Sequence, residues 1–369
     1  MIYKVLVSDK AFVPVAEIQH KISGLSWEYT RIGGCGAFKF NVAQKFCREV
    51  DLGINFNIKI YVKDLTTNSY DLWYQGRIEN KNHNIRNHDE SISVSGLGYQ
   101  SELSDIYLDR DYTSDEVSVV VKSILDNDIV PNTNITYSGG DITATSFTPD
   151  SLEFNTKASN CMRTLSELIG SREWGVDKDR KFFFKERSDA VGFIYPFGKK
   201  ILSFSGDNTS KEIVNRAIVI GGDVSGSPYT KTVNDLNSQL KFNRRDATIQ
   251  NSAIVTDAVA DQFATALFSE FGDVVRRARV TVLDTQRFEV TTPMGTLQIR
   301  PRLFTYNERQ YRKFLYSGLI SYQINRIRYK INPQGVLQCD LSLGQLRPDI
   351  AETIGQLEYK IDQLANQGV

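Results

Sequence analysis

The sequence predicts a mainly β protein interrupted by small α+β inserts, and three observations carry that prediction. Short stretches with apolar residues at alternate positions recur between Gly, Asn and Asp turns, as in Ile58, Ile60 and Val62. Such a period of 2 marks half-buried strands. A strand pattern also occurs twice: Tyr74-Gln75-Gly76-Arg77-Ile78 reappears as Tyr316-Ser317-Gly318-Leu319-Ile320. Finally, the texture changes at Thr113, where period 2 gives way to helical spacing.

Residues 1–103 read almost wholly as strand, through segments 4–7, 25–30, 37–42, 56–62, 72–78 and 91–94. Several short strands without a helix suggest a small barrel or a sandwich. A Gly between Tyr and Ile on a strand, as at Gly76, marks a bulge, a bend or a close backbone approach. Each copy of the repeated pattern follows an alternating stretch, with Leu297 and Ile299 before the second. Each also precedes a closing strand, Gly96-Leu97-Gly98 or Leu343-Gly344. Duplication of one β-domain explains this order of parts; chance agreement between two meanders is the competing explanation.

Residues 104–200 read as an α+β insert. Thr113-x-x-Glu116 has capping-box spacing, and Val117, Val120, Val121, Ile124 and Leu125 then recur on one helical face. A second helix is predicted over 157–169, with Gly170 as its stop. Trp174-Gly175-Val176 and Phe182-Phe183-Phe184, joined by a polar turn, read as a hairpin packed on that helix. β-texture resumes over 201–345, with a helical insertion near 235–272 that includes a third helix over 257–271. In the tail, 346–369, Ile350, Ile354, Leu357, Ile361 and Leu364 are spaced 4, 3, 4, 3, a heptad seam after Pro348. This seam predicts self-association or docking on a partner; a helix lying on its own core is the alternative. Ile at a with Leu at d favours a dimer when considered alone.

Composition narrows the function. The 369 residues carry 44 basic and 44 acidic side chains, so no whole-protein field draws the chain to nucleic acid or a charged membrane. No run approaches the roughly 20 apolar residues of a spanning helix, and the charged start resembles no secretory leader. Cys35, Cys47, Cys161 and Cys339 are scattered, without zinc or disulfide spacing, which predicts folding in a reducing cytoplasm. His20, His83 and His88 form no metal-ligand pattern, and there is no P-loop or nucleophile elbow. No catalytic residue, metal or cofactor is assigned. One local charge feature stands out: Arg300, Arg302, Arg309, Arg312, Lys313, Arg326, Arg328 and Lys330 face the single acid Glu308, with tyrosines interleaved. Such a block either binds single-stranded nucleic acid or meets acidic neighbours from another subunit, and the neutral chain favours the interface.

These features together resemble the phage tail hub family: baseplate and tail-tip hubs, the N-terminal part of siphophage tail-associated proteins, and the hub portion of type VI secretion spikes. The resemblance rests on the order of parts rather than on a stringent motif, and covers nearly all of the chain. It implies two tube-like β-barrel domains (1–103 and 201–345) with the α+β domain (104–200) between them and the heptad helix (346–369) at the end. It further implies a homotrimer whose six barrels match a hexameric tail tube or distal tail protein on one face. A three-fold fibre, spike or tip protein is implied on the other face, and the tape-measure protein is a further implied partner. DNA would pass through the lumen without sequence-specific binding, and the protein would sit at the distal end of the tail in the virion. The chain shows no peptidase, lysozyme or needle segment, so wall degradation is expected from another protein. The rival classes are a carbohydrate-binding β-protein that recognises a host surface, and a tail-associated hydrolase. Trp73 and Trp174, the aromatics a lectin platform would need, sit in apolar alternation and read as core.

Overall fold

A computed structural model describes residues 3–46, 52–64, 67–86, 89–145, 148, 151–169, 172–186, 191–196, 201–224, 226–250, 257–282, 296–300, 320–332 and 335–344. The first β-region holds β1 (Tyr3–Ser8), β2 (Pro14–Glu17), β3 (Ile22–Thr30), β4 (Gly33–Ala43), β5 (Asn57–Lys63), β6 (Tyr70–Arg86) and β7 (Asp89–Gly98). The alternation in sequence becomes alternation in burial. Val5 and Val7, Ile58, Ile60 and Val62, and Ile92 and Val94 all point inward, because successive strand side chains leave opposite faces.

The insert follows. A two-stranded ribbon of β8 (Tyr107–Thr113) and β9 (Ser151–Lys157) brackets helix α1 (Val117–Ile124), and α2 (Ala158–Ile169) comes next. The hairpin of β10 (Arg172–Val176) and β11 (Phe182–Glu186) pairs Trp174 with Phe184, as the sequence predicts. The start of α1 departs from the capping-box expectation. Ser114 takes a left-handed conformation (φ 53°), the helix begins only at Val117, and its N-cap Glu116 makes no side-chain cap. The Glu116 carboxylate accepts from the Thr145 amide instead, tying a distant loop to the helix entry.

The remaining elements are β12 (Val191–Pro196), β13 (Ile201–Thr209), β14 (Arg216–Val224), β15 (Ser227–Asn234), α3 (Leu236–Phe242), β16 (Asp246–Gln250), α4 (Asp257–Phe271), β17 (Val275–Val282), β18 (Thr296–Arg300), β19 (Ile320–Ile331) and β20 (Leu337–Gly344). Strands β15-β14-β16 form a small sheet covered by α4. The buried line of α4 runs Ala260, Ala264, Leu267, Phe271, at helical spacing.

One sheet passes through both β-regions, in the order β13-β17-β20-β19-β3-β4-β7-β6-β5-β1-β2. Its joint is the antiparallel pair β19–β3, where Tyr329 lies opposite Trp27 and Arg328 opposite Glu28. A common hydrophobic core lies beneath. At its centre the Tyr329 ring stacks on Trp27 (5.4 Å between centroids) and meets Trp73 edge-on at 5.0 Å. Offset and edge-to-face contacts of this kind add about 0.5–1.5 kcal/mol beyond burial itself. The insert keeps a separate core built from α1, α2 and the β10–β11 hairpin.

Candidate functional site

The surfaces that could mediate assembly are built on this sheet. In the first copy of the repeated pattern, Tyr74 and Ile78 are fully buried, and the Tyr74 hydroxyl donates to the Gly36 carbonyl at 2.6 Å. Gly76 lies opposite Ile58 on one side and Gly98 on the other. A Cβ at Gly76 would come within 2.6 Å of the Leu97 carbonyl oxygen, so glycine is required by close approach. In the second copy Ile320 opens β19, while Tyr316 and Gly318 lie outside the described residues. Strands β5-β6-β7 and β18-β19-β20 are both antiparallel meanders in chain order. Their registers differ: Gly98 faces Gly76, whereas Leu343 lies opposite Ile324.

Of the basic block, Arg326, Arg328 and Lys330 alternate along β19 with the buried Ile327 and Tyr329. This alternation puts all three on the solvent face, 46%, 45% and 42% exposed in their side chains. Both arginines reach one carboxylate, Glu28, at 3.9 and 3.8 Å, and Lys330 pairs with Asp340 at 2.7 Å. Exposed pairs of this length contribute about 0–1 kcal/mol each. Arg300 ends β18, while Arg302, Arg309, Arg312 and the seam residues Ile350, Ile354, Leu357, Ile361 and Leu364 lie outside the described residues.

A junction that sequence reasoning misses fixes the insert to the sheet. Strand β10 runs parallel to the start of β4, pairing Gly175 with Gly33 and Val176 with Gly34. Beside it Arg31 Nε meets Glu173 Oε1 at 2.8 Å, with side chains only 6% and 0% exposed. The guanidinium of Arg180, in the turn between β10 and β11, lies 4.3 Å from the Phe12 ring centre. The only hint in sequence is the glycine density at 33, 34 and 175.

The same turn supplies a pH-dependent prediction. Asp177 accepts amide bonds from Asp179 and Lys181, yet burial holds its carboxyl pKa above the ordinary aspartate value. A raised folded-state pKa favours folding most below the unfolded value, and that contribution is lost as pH rises through the shifted value. Asp177→Asn keeps an acceptor for both amides. It should therefore gain stability relative to the native chain as pH rises from about 3 to about 7, as read from urea midpoints.

Among the described residues, chemistry-bearing side chains do not converge. Among the described residues no group of three His, Cys, Asp or Glu could hold a metal, and no helix is long and apolar enough to cross a membrane. Burial pushes the thiols of Cys35 and Cys161 up, the latter to about 12, away from the thiolate a nucleophile needs. His20 and His83 are exposed, and His88 lies outside the described residues. Trp73 and Trp174 are 6% and 4% exposed, so neither offers a stacking platform to a sugar.

Comparison with solved structures assigns the architecture. The chain is similar to the 43 kDa tail protein of prophage MuSo2 from Shewanella oneidensis (TM-score 0.64, 12% identity, 92% of this chain and 97% of that one). It is similar to a tail protein from Neisseria meningitidis MC58 (TM-score 0.65, 11% identity, 97% and 99%). Prophage tail protein gp18 from Listeria monocytogenes EGD-e gives a TM-score of 0.60 at 13% identity, again over 97% and 99%. No family model matches the chain, and no curated protein matches it in sequence. The fold is that of prophage tail proteins.

Proposed function

We propose that this chain is a structural subunit of a phage tail: a trimeric, pseudo-hexameric hub joining the hexameric tail tube to the three-fold tip or spike. The observation that carries this reading is the length of the likeness, which spans 97% of this chain and 99% of the tail proteins from N. meningitidis and L. monocytogenes. In this reading the β-regions 1–103 and 201–345 act as two tube-like barrels, held side by side by the β19–β3 joint, with 104–200 as a decorating domain. The two meanders of matching order support an origin by duplication, and their different registers fit long divergence. Three chains then present six similar β-units to the tube and three to the tip, and leave a channel for DNA. A lumen that lets DNA slide must not be strongly basic, since fixed phosphate contacts would hold it. No wall-degrading or sugar-binding role is assigned, and the burial of Trp73 and Trp174 argues against the lectin reading.

The test is the mass of the purified protein by analytical ultracentrifugation, together with images of the tail. A trimeric ring at the distal end of the tube is the expected result; a monomer at every concentration, or a location away from the tail, would end this reading. The tail seam offers a second handle. In the proposed hub Ile350, Ile354, Leu357, Ile361 and Leu364 form a three-fold bundle on the axis, or the groove-filling face toward a tip fibre. Each buried Ile or Leu contributes about 1.5–3 kcal/mol. Ile354→Asp with Ile361→Asp should therefore abolish tip recruitment and weaken the trimer; unchanged mass and recruitment would show the segment to pack on its own subunit.

A further inference from the structure

The chain is neutral overall, yet its charge is segregated. Between positions 104 and 157 ten acidic residues stand against three basic ones, and between 276 and 330 twelve basic stand against three acidic. On the sheet, Arg279 of β17, Ser342 of β20 and Arg326 of β19 lie in one register row. Arg328 and Lys330 follow along β19. Arg279 is exposed and has no carboxylate partner among the described residues, while Arg326 and Arg328 share Glu28. The face therefore keeps an uncompensated positive charge.

The outer face of the β8–β9 ribbon is its complement. Tyr107, Asp109 and Asp111 alternate with the buried Leu108 and the half-buried Tyr112, and all three are exposed. No ion pair holds Asp109 or Asp111 among the described residues, and Lys157, opposite Tyr107 in the ribbon register, is exposed but pairs with neither of them. Asp109 and Asp111 are therefore free to meet a cation from outside the chain. Asp109 and Asp111 are two positions apart on a strand, as are Arg326 and Arg328, so each pair is spaced about 6.8 Å along its strand. Among the described residues no ion pair joins the two surfaces within the chain.

We propose that the acidic ribbon of one copy docks on the basic sheet face of the next, with Asp109 and Asp111 against Arg326, Arg328 and Arg279. Because the two surfaces are different, the contact is head-to-tail, the kind that closes a ring when its rotation permits. This inference rests on the hub reading for the size of that ring, and names the surfaces that would build it. It also takes the arginines out of the channel, where mobile DNA would otherwise be held.

The experiment measures self-association of the full chain by ultracentrifugation at low and high salt. Native protein should dissociate as salt rises, because the screening length shrinks from about 10 Å at 0.1 M to about 3 Å at 1 M, short enough to weaken even facing charges. Asp109→Lys with Asp111→Lys should weaken association at least about 100-fold, since facing like charges cost several kcal/mol. Arg326→Glu with Arg328→Glu should do the same, and combining all four replacements in one chain should restore the complex that neither pair of replacements forms alone. Arg326→Gln with Arg328→Gln avoids repulsion from Glu28 and serves if the reversal perturbs folding; it should weaken association in the same direction. A salt-insensitive oligomer unchanged by the ribbon and the Gln variants would overturn this interface and leave the hub reading intact. A native chain that never associates would overturn both.

Discussion

Replacing Glu173 with Gln is expected to destabilise the chain by up to about 3–5 kcal/mol, because it removes the carboxylate that meets the buried Arg31 guanidinium. The two side chains are 6% and 0% exposed and meet at 2.8 Å, so water cannot take the place of the lost carboxylate. The cost should appear at one place. Arg31 also donates its backbone amide to Asn325, next to the β19–β3 joint. Hydrogen exchange should therefore rise in the turn between β3 and β4 and in β10, while β5 and β6 stay protected. The double replacement Arg31→Met with Glu173→Leu removes both charges and should recover most of the loss, as apolar substitutes for buried ion pairs generally do. A single Glu173→Gln variant as stable as the native chain would mean that the pair is solvated in solution.

Gly175→Ala is the second large effect. A Cβ at Gly175 would lie 2.4 Å from backbone atoms of both Gly33 and Gly34, and backbone cannot swing aside as a side-chain tip can. Overpacking of this kind costs about 1–3 kcal/mol and occasionally more; the upper end is expected here because the parallel bridge to β4 must open. Unlike the charge variant, this one should respond to a compensating cut in bulk nowhere nearby, since its neighbours are already glycines. The separate core of the insert should survive, so urea unfolding should split into two transitions, with Trp174 and Trp27 reporting the two parts. One coincident transition at the native midpoint would refute it.

Local signals made much of the fold legible. Helices appear at Val117–Ile124, Ala158–Ile169 and Asp257–Phe271, close to where apolar spacing puts them, and the Trp174–Phe184 hairpin forms as read. Each of these rests on contacts within a few residues along the chain. What periodicity could not reveal is the partner of an edge. Nothing in the alternation of β3 says that its neighbour is β19, and nothing in Gly33-Gly34 says that Gly175 will lie on it. The seven residues of α3 are too few to establish a helical period. Of the candidate surfaces, the block around Arg326 and Arg328 was visible as composition. The acidic ribbon face was not, because Asp109 and Asp111 become a surface only once β8 turns Leu108 inward.

The β19–β3 pairing also sets the order in which the protein can be made. Trp27 and Tyr329 are register partners about 300 positions apart, and such distant pairings slow folding because a long loop must close first. Domains generally fold from the N-terminus as synthesis proceeds, at about 5–20 residues per second. On the ribosome, β3 must therefore wait on the order of 15–60 s with its outer edge unfilled while the rest of the chain is translated. An open strand edge is a template for pairing with other chains. The nascent chain thus passes through a stage in which a released fragment ending before β19 would be prone to aggregate, and premature termination there should yield insoluble protein rather than a smaller soluble domain.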